Sequence, residues 1–273
     1  MWIQKTSRAI VAASFVMLMG DRADAQTPPP GAPVPAATAA PSAPVFLGRF
    51  DFHISTVALG QSDPRFTWDT HIGGDVDLVD YHAGRLTFLA DYEAVLGSEL
   101  RPFDPNQGTY TLESFATYRA RFGEVGGGFH HVSRHLGDRP KLFAIAWNEV
   151  GVRLNRQLPA GRSTVDIEGN VSKVIQHGFV DYAWTAGLDL ALRRPVSNRL
   201  AVFARGSAQL IGVNPDKAGR GTQNGGRVEA GVRLSGRAAA LELFAGFERR
   251  IDAYPLERTA LQWFMGGFRL VKR

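Results

Sequence analysis

From about Arg49 to the C-terminus, segment after segment of this chain alternates apolar and polar residues with period two. In Phe66 to Leu78 one row reads Phe66, Trp68, Thr70, Ile72, Gly74, Val76 and Leu78, and the other Thr67, Asp69, His71, Gly73, Asp75 and Asp77. Neighbouring side chains of a strand point to opposite faces, so one face here is greasy and the other acidic. Strands of soluble sandwiches usually stop at about five or six residues, whereas strands that cross a bilayer need about ten. Length and alternation together predict an all-β fold, a twelve-stranded antiparallel transmembrane β-barrel.

The N-terminus fits export. Lys5 and Arg8 precede the apolar stretch Ala9 to Met19, and Ala23-Asp24-Ala25 offers small residues for a signal peptidase. Residues 1–25 are expected to be a cleaved signal peptide, and the Pro/Ala-rich residues 26–45 an extended linker with too little apolar surface to fold. Residues 46–273 then form the barrel of a bacterial outer-membrane protein. No apolar run outside the leader reaches the roughly eighteen residues of a transmembrane helix. A closed barrel is the other way to cross lipid with every backbone group paired. The chain has no cysteine, which removes disulfides and thiolate metal sites. Its net charge of +5 comes from scattered single residues, a pattern that suits anionic headgroups better than nucleic acid. The expected partners are therefore outer-membrane phospholipid or lipopolysaccharide and the barrel-assembly machinery, in an oligomeric state the pattern leaves open.

Twelve strands are expected near 49–59, 66–80, 85–96, 109–121, 124–135, 142–157, 163–175, 180–193, 200–211, 226–236, 239–249 and 261–271. Short connections alternate with longer ones, notably 97–108, 212–225 and 250–260, which places the termini and short turns in the periplasm. The inward rows carry Asp69, Asp75, Asp77, Asp91, Glu93, Glu113, Glu149, Asp166, Glu168, Asp189, Glu229, Glu242 and Glu248. Facing them are Arg49, Arg85, Arg119, Arg121, Arg153, Arg193, Arg205, Arg227 and Arg233. Such a set makes either an ion-paired plug or a selective pore.

Chemistry concentrates on the fifth expected strand, where Phe129, His131, Ser133 and His135 share the lipid-side row. A turn centred between Arg139 and Pro140 sets His131 opposite Asn148 of the next strand. A hydroxyl beside an imidazole that is oriented by a third polar group is the requirement for nucleophilic acyl transfer: Ser133 as nucleophile, His131 as base, Asn148 as the orienting amide. A non-catalytic structural or small-solute barrel is the other reading of the same residues.

A twelve-stranded barrel with His-x-Ser on one strand and Asn on the next resembles outer-membrane phospholipase A, and lipid A deacylases carry a similar His-x-Ser on a barrel wall. The resemblance implies a serine-type hydrolase of membrane lipid esters, with calcium as a cofactor that family can use; no other cofactor, and no particular metal ligand, is implied. In the phospholipase pattern Asn-Gly follows the serine, whereas Arg134-His135 follow it here, so the calcium and dimerisation associated with that family need not carry over with the motif. The string His131-Val-Ser-Arg-His-Leu-Gly-Asp138 is closer to an uncharacterised outer-membrane family with His-x-Ser-Ser-His-Leu-Gly-Asp. His135 and Asp138 enter as accessory candidates; His135 could assist catalysis, bind a headgroup phosphate, or lie at the interface with its tip in water. Gly126-Gly127-Gly128 offers either a groove for an acyl chain or relief of wall curvature. Elsewhere, His53 and His71 read as separate inward residues, Asp75 and Asp77 as lumen wall or a cation site, and Tyr81, Tyr110, Tyr182 and Trp184 as interfacial belts.

Overall fold

The computed structural model describes residues 42–81, 83–137 and 143–272. The expected signal peptide and nearly all of the expected linker lie outside these residues. Among the described residues the chain forms β1 (Val45–Phe46), β2 (Phe50–Gly60), β3 (Trp68–Tyr81), β4 (Gly84–Gly97), β5 (Asp104–Ala120), β6 (Gly123–Leu136) and β7 (Ile145–Ala160). It continues with β8 (Ser163–Gly178), β9 (Tyr182–Pro195), β10 (Leu200–Val213), β11 (Gln223–Ser235), β12 (Ala239–Tyr254) and β13 (Thr259–Lys272). Strands β2 to β13 pair antiparallel in sequence order and β13 returns to β2, which closes a twelve-stranded barrel. Closure leaves no unpaired edge inside lipid. The short β1 lies against the turn end of β3 through Val45–Asp80 and Phe46–Val79.

The alternation has the expected sidedness. Leu188, Leu190 and Leu192 of β9 are exposed on the outside, while Thr185 is buried within and donates to Glu149 at 2.7 Å. Substituting Leu188, at the middle of its strand, by arginine should cost about 2–4 kcal/mol of barrel stability. Thr185→Ser, which keeps the hydroxyl, should refold like the parent. A refolding titration in lipid in which both changes weigh the same would contradict this sidedness.

Three features depart from the periodic pattern. Strands β5 and β12 run further than expected, to Asp104 and Tyr254, because pairing continues past the apolar band as Gly97–Asp104 and Tyr254–Thr259. Arg121 is exposed in the β5–β6 turn instead of facing the lumen, since β5 ends at Ala120. Tyr182 is buried inside and does not join an interfacial belt. The β9–β10 register jumps from Gly212–Trp184 to Val213–Tyr182, and the extra residue, Ala183, turns Tyr182 inward.

Ion pairs and aromatic contacts cross the lumen. Arg269, Arg205 and Arg233 surround Glu229 and Glu242, with Arg269 donating to both carboxylates at 2.9 Å. Asp75 and Asp77 both pair with Arg49, as lumen wall. Toward the end with the longer connections, Phe66 stacks on Trp263 at 5.8 Å and Trp147 meets Tyr182 edge-on at 5.4 Å. Above them Arg220 bridges Asp181 of the β8–β9 connection and Asp252 of β12 with bonds of 2.6 to 2.9 Å, and Tyr182 donates to Asp252 at 2.7 Å. These groups cap the barrel.

Burial favours the neutral form of Asp181. The hydrogen bonds and charge of Arg220, with the charge of Arg258, outweigh burial and hold the carboxyl below its ordinary range. A carboxyl depressed in the folded state stabilises above its unfolded pKa, about 4, and that contribution disappears as pH falls through the folded value. Planar-bilayer recordings should therefore show a closed barrel at neutral pH, with reversible openings only under acid. Stable openings at neutral pH would refute the cap.

Candidate functional site on the lipid face

The site is built by β5, β6, β7 and β8 on the outer wall. Ladder pairing sets His131 against Asn148 and Ser133 between Tyr110 and Ala146. All of these belong to the outward row, so the polar side chains project where the neighbouring Phe129, Val150 and Val152 meet lipid. His131 Nδ1 lies 2.6 Å from Asn148 Oδ1, and Asn148 Nδ2 donates to Gln176 Oε1 at 2.9 Å. The amide oxygen can only accept, so the Nδ1 proton is on His131 and its Nε2 carries the lone pair. Gln176 fixes the orientation of Asn148 from the far side.

Gln176 has no place in an alternating reading. Its strand carries a bulge: Asn148 pairs with Gln176 while Glu149 pairs with Val174, leaving Ile175 unpaired. The extra residue puts Ile175 and Gln176 both on the exposed side. Polar residues at the end of β8, Gln176-His177, were the sequence signal, but period two assigns Gln176 to the lumen.

The serine hydroxyl is turned toward the other histidine of its row, with Ser133 Oγ 3.2 Å from His135 Nε2. His135 in turn meets the Tyr110 ring edge-on at 5.6 Å, and Tyr110 lies 4.8 Å from Tyr92. The four residues singled out in the sequence thus fall on one surface as two bonded pairs, His131–Asn148 and Ser133–His135. Asp138 lies outside the described residues. Aromatic residues at this height belong to the headgroup level of a bilayer, which is also where lipid esters lie.

Of the three consecutive glycines, Gly126 and Gly128 face inward, where a Cβ at Gly128 would run into Phe115 at 2.6 Å. Gly127 faces lipid, and a Cβ there would meet only the Gly151 carbonyl oxygen, at 3.5 Å. It leaves a shallow notch in the wall, four residues along β6 from His131.

No family model and no curated relative matches the chain. Among solved structures, Escherichia coli outer membrane phospholipase A overlays with a TM-score of 0.51 at 12% identity, covering 84% of this chain and 98% of that one. The calcium-bound dimer of the Salmonella typhi outer membrane phospholipase gives 0.50 at 12% identity, over 82% and 90%. LpxR from Salmonella typhimurium gives 0.45 at 12% identity, over 81% and 99%. The chain therefore shares its fold with outer-membrane barrels, and that fold supports a place in the outer membrane.

Proposed function

We propose that the protein is a serine-type acyl hydrolase of outer-membrane lipid esters, phospholipid or lipopolysaccharide. The observation that carries this reading is the 2.6 Å bond between His131 and Asn148, which leaves a basic ring nitrogen on the lipid face two residues from a hydroxyl. Buried in apolar surroundings, such polar groups cost free energy unless a polar partner meets them. An ester at the headgroup level is such a partner.

Ser133 and the flanking histidines stand at the same spacing on one row, so rotation about the serine Cα–Cβ bond exchanges His135 for His131. In the reacting state Ser133 Oγ attacks the ester carbonyl while His131 Nε2 takes the hydroxyl proton. His131 then returns the proton to the leaving alcohol as the C–O bond breaks. Water, deprotonated by the same nitrogen, hydrolyses the acyl-serine and frees the fatty acid. Asn148 holds the ring in the required tautomer and supports the imidazolium. Gly127 gives the acyl chain room along the wall.

The resemblance brings calcium with it, as bound in the Salmonella typhi enzyme. The described outward residues beside Ser133 are imidazole, phenol and amide groups, whereas a calcium site takes six to eight oxygens, carboxylates prominent among them. No step of the reaction is routed through the ion. The test is release of fatty acid from mixed micelles of phospholipid or lipid A, assayed in calcium and in chelator. Absence of cleavage in both would leave a structural barrel. A small-solute channel is the weaker alternative, because ion-paired and aromatic side chains reach across the lumen.

A further inference from the structure

On the inner face of the wall, four titratable residues join in a line. His53 Nε2 lies 2.9 Å from Asp91 Oδ1, His71 Nδ1 lies 3.0 Å from Asp91 Oδ2, and His71 Nε2 lies 3.4 Å from Asp69 Oδ1. The two histidines, separate in the sequence, are thus clamped by one carboxylate. Asp91 accepts from both rings, so each donates an N–H to it and the proton of a neutral His71 is on Nδ1. Its Nε2 then points a lone pair at Asp69 Oδ1. That oxygen is fully buried and accepts no hydrogen bond, although Arg250 donates to its twin Oδ2 at 2.5 Å. With the ring neutral, two acceptors face each other in a buried place, and a cation between them satisfies both.

We propose that Asp69, His71 and Glu93 bind a divalent transition-metal ion such as zinc inside the lumen. One ligand atom from each lies within 4.8 Å of the other two. Ligands at 2.0–2.1 Å around a tetrahedral ion stand about 3.4 Å apart, which is the separation of His71 Nε2 and Asp69 Oδ1. Imidazole with two carboxylates suits zinc and its neighbours, whereas calcium takes oxygens alone. Asp91 completes the arrangement: a carboxylate on the remote N–H of a metal-ligating histidine fixes its tautomer and raises its basicity. Asp69, Glu93 and Glu248 all bond Arg250, at 2.5, 2.9 and 2.7 Å, so three carboxylates share one guanidinium beside the candidate ligands. Arg250 holds Asp69 Oδ2 and Glu93 Oε1, so Asp69 Oδ1 and the second Glu93 oxygen remain for the metal, and Glu93 keeps 14% of its side chain open as a way in.

The experiment uses untagged protein refolded in detergent, stripped with chelator, and dialysed against zinc or cobalt(II). The expected result is one zinc per chain, a higher unfolding temperature with zinc, and visible absorption bands of low-symmetry cobalt. His71→Gln and Asp69→Asn should each weaken binding at least tenfold, and His131→Gln, on the lipid face, should leave it unchanged. If the Asp69 variant does not refold, the cobalt spectrum of His71→Gln against the parent decides. Equal zinc on the parent and His71→Gln would overturn the proposal, as would loss of zinc in His131→Gln. So would a metal-free parent in which nitrogen NMR finds both His71 nitrogens protonated, since a proton then fills the gap.

Discussion

Ser133→Ala is expected to lower lipid-ester hydrolysis at least about a thousandfold, with refolding yield unchanged because the side chain faces lipid. His131→Ala should fall as far, since a nucleophile and its base act as one unit and losing either is nearly losing both. Asn148→Ala should be milder, as the amide only orients the ring. His135→Ala separates the two bonded pairs: as a ground-state partner of the hydroxyl it should cost no more than about tenfold, whereas a loss equal to that of His131→Ala would make His135 the base. A sulfonyl fluoride should label Ser133 in the parent and not in His131→Ala. Full activity in Ser133→Ala would end the enzymatic reading.

Glu242→Leu is expected to destabilise the barrel by about 3–5 kcal/mol. Its carboxylate is 1% exposed and accepts from Arg233 at 2.7 Å, Arg269 at 2.9 Å and Arg205 at 3.1 Å. Without it Arg233 loses its 2.7 Å bond, Arg205 and Arg269 fall back on Glu229, which Arg227 also holds, and desolvated positive charge has no outlet. Glu257→Gln, at an exposed pair with Arg65, should cost no more than about 1 kcal/mol. The comparison is made by denaturant titration in lipid, and equal costs would show that the lumen network carries no net pairing energy.

Period-two alternation made the strands, the closure and the sidedness legible, and the pairing of His131 with Asn148 followed from a centred turn. What escaped is physically of two kinds. Bulges at Ile175 and Ala183 change which face a residue takes without changing composition, so Gln176 and Tyr182 were placed on the wrong face or left out. Contacts across the lumen join residues far apart in the chain: Arg250 reaches Asp69 over 181 positions, and Asp91 links His53 to His71. Arg250 and Arg269 were missing from the inward set for different reasons. Arg250 lies where β12 outlasts the apolar band. Arg269 sits on an ordinary inward row of β13 and is legible by alternation alone.

The barrel wall is one residue thick, and consecutive residues answer to different media. Along β6, Arg134 enters the charged interior while Ser133 and His135 face lipid. A substitution on one row changes the chemistry offered to the bilayer, and one on the other changes whether the cylinder holds together. Selection can therefore vary the two almost independently. A library confined to residues 129, 131, 133 and 135 together with 146, 148 and 150 should search new surface activities while sparing the interior that keeps the cylinder folded.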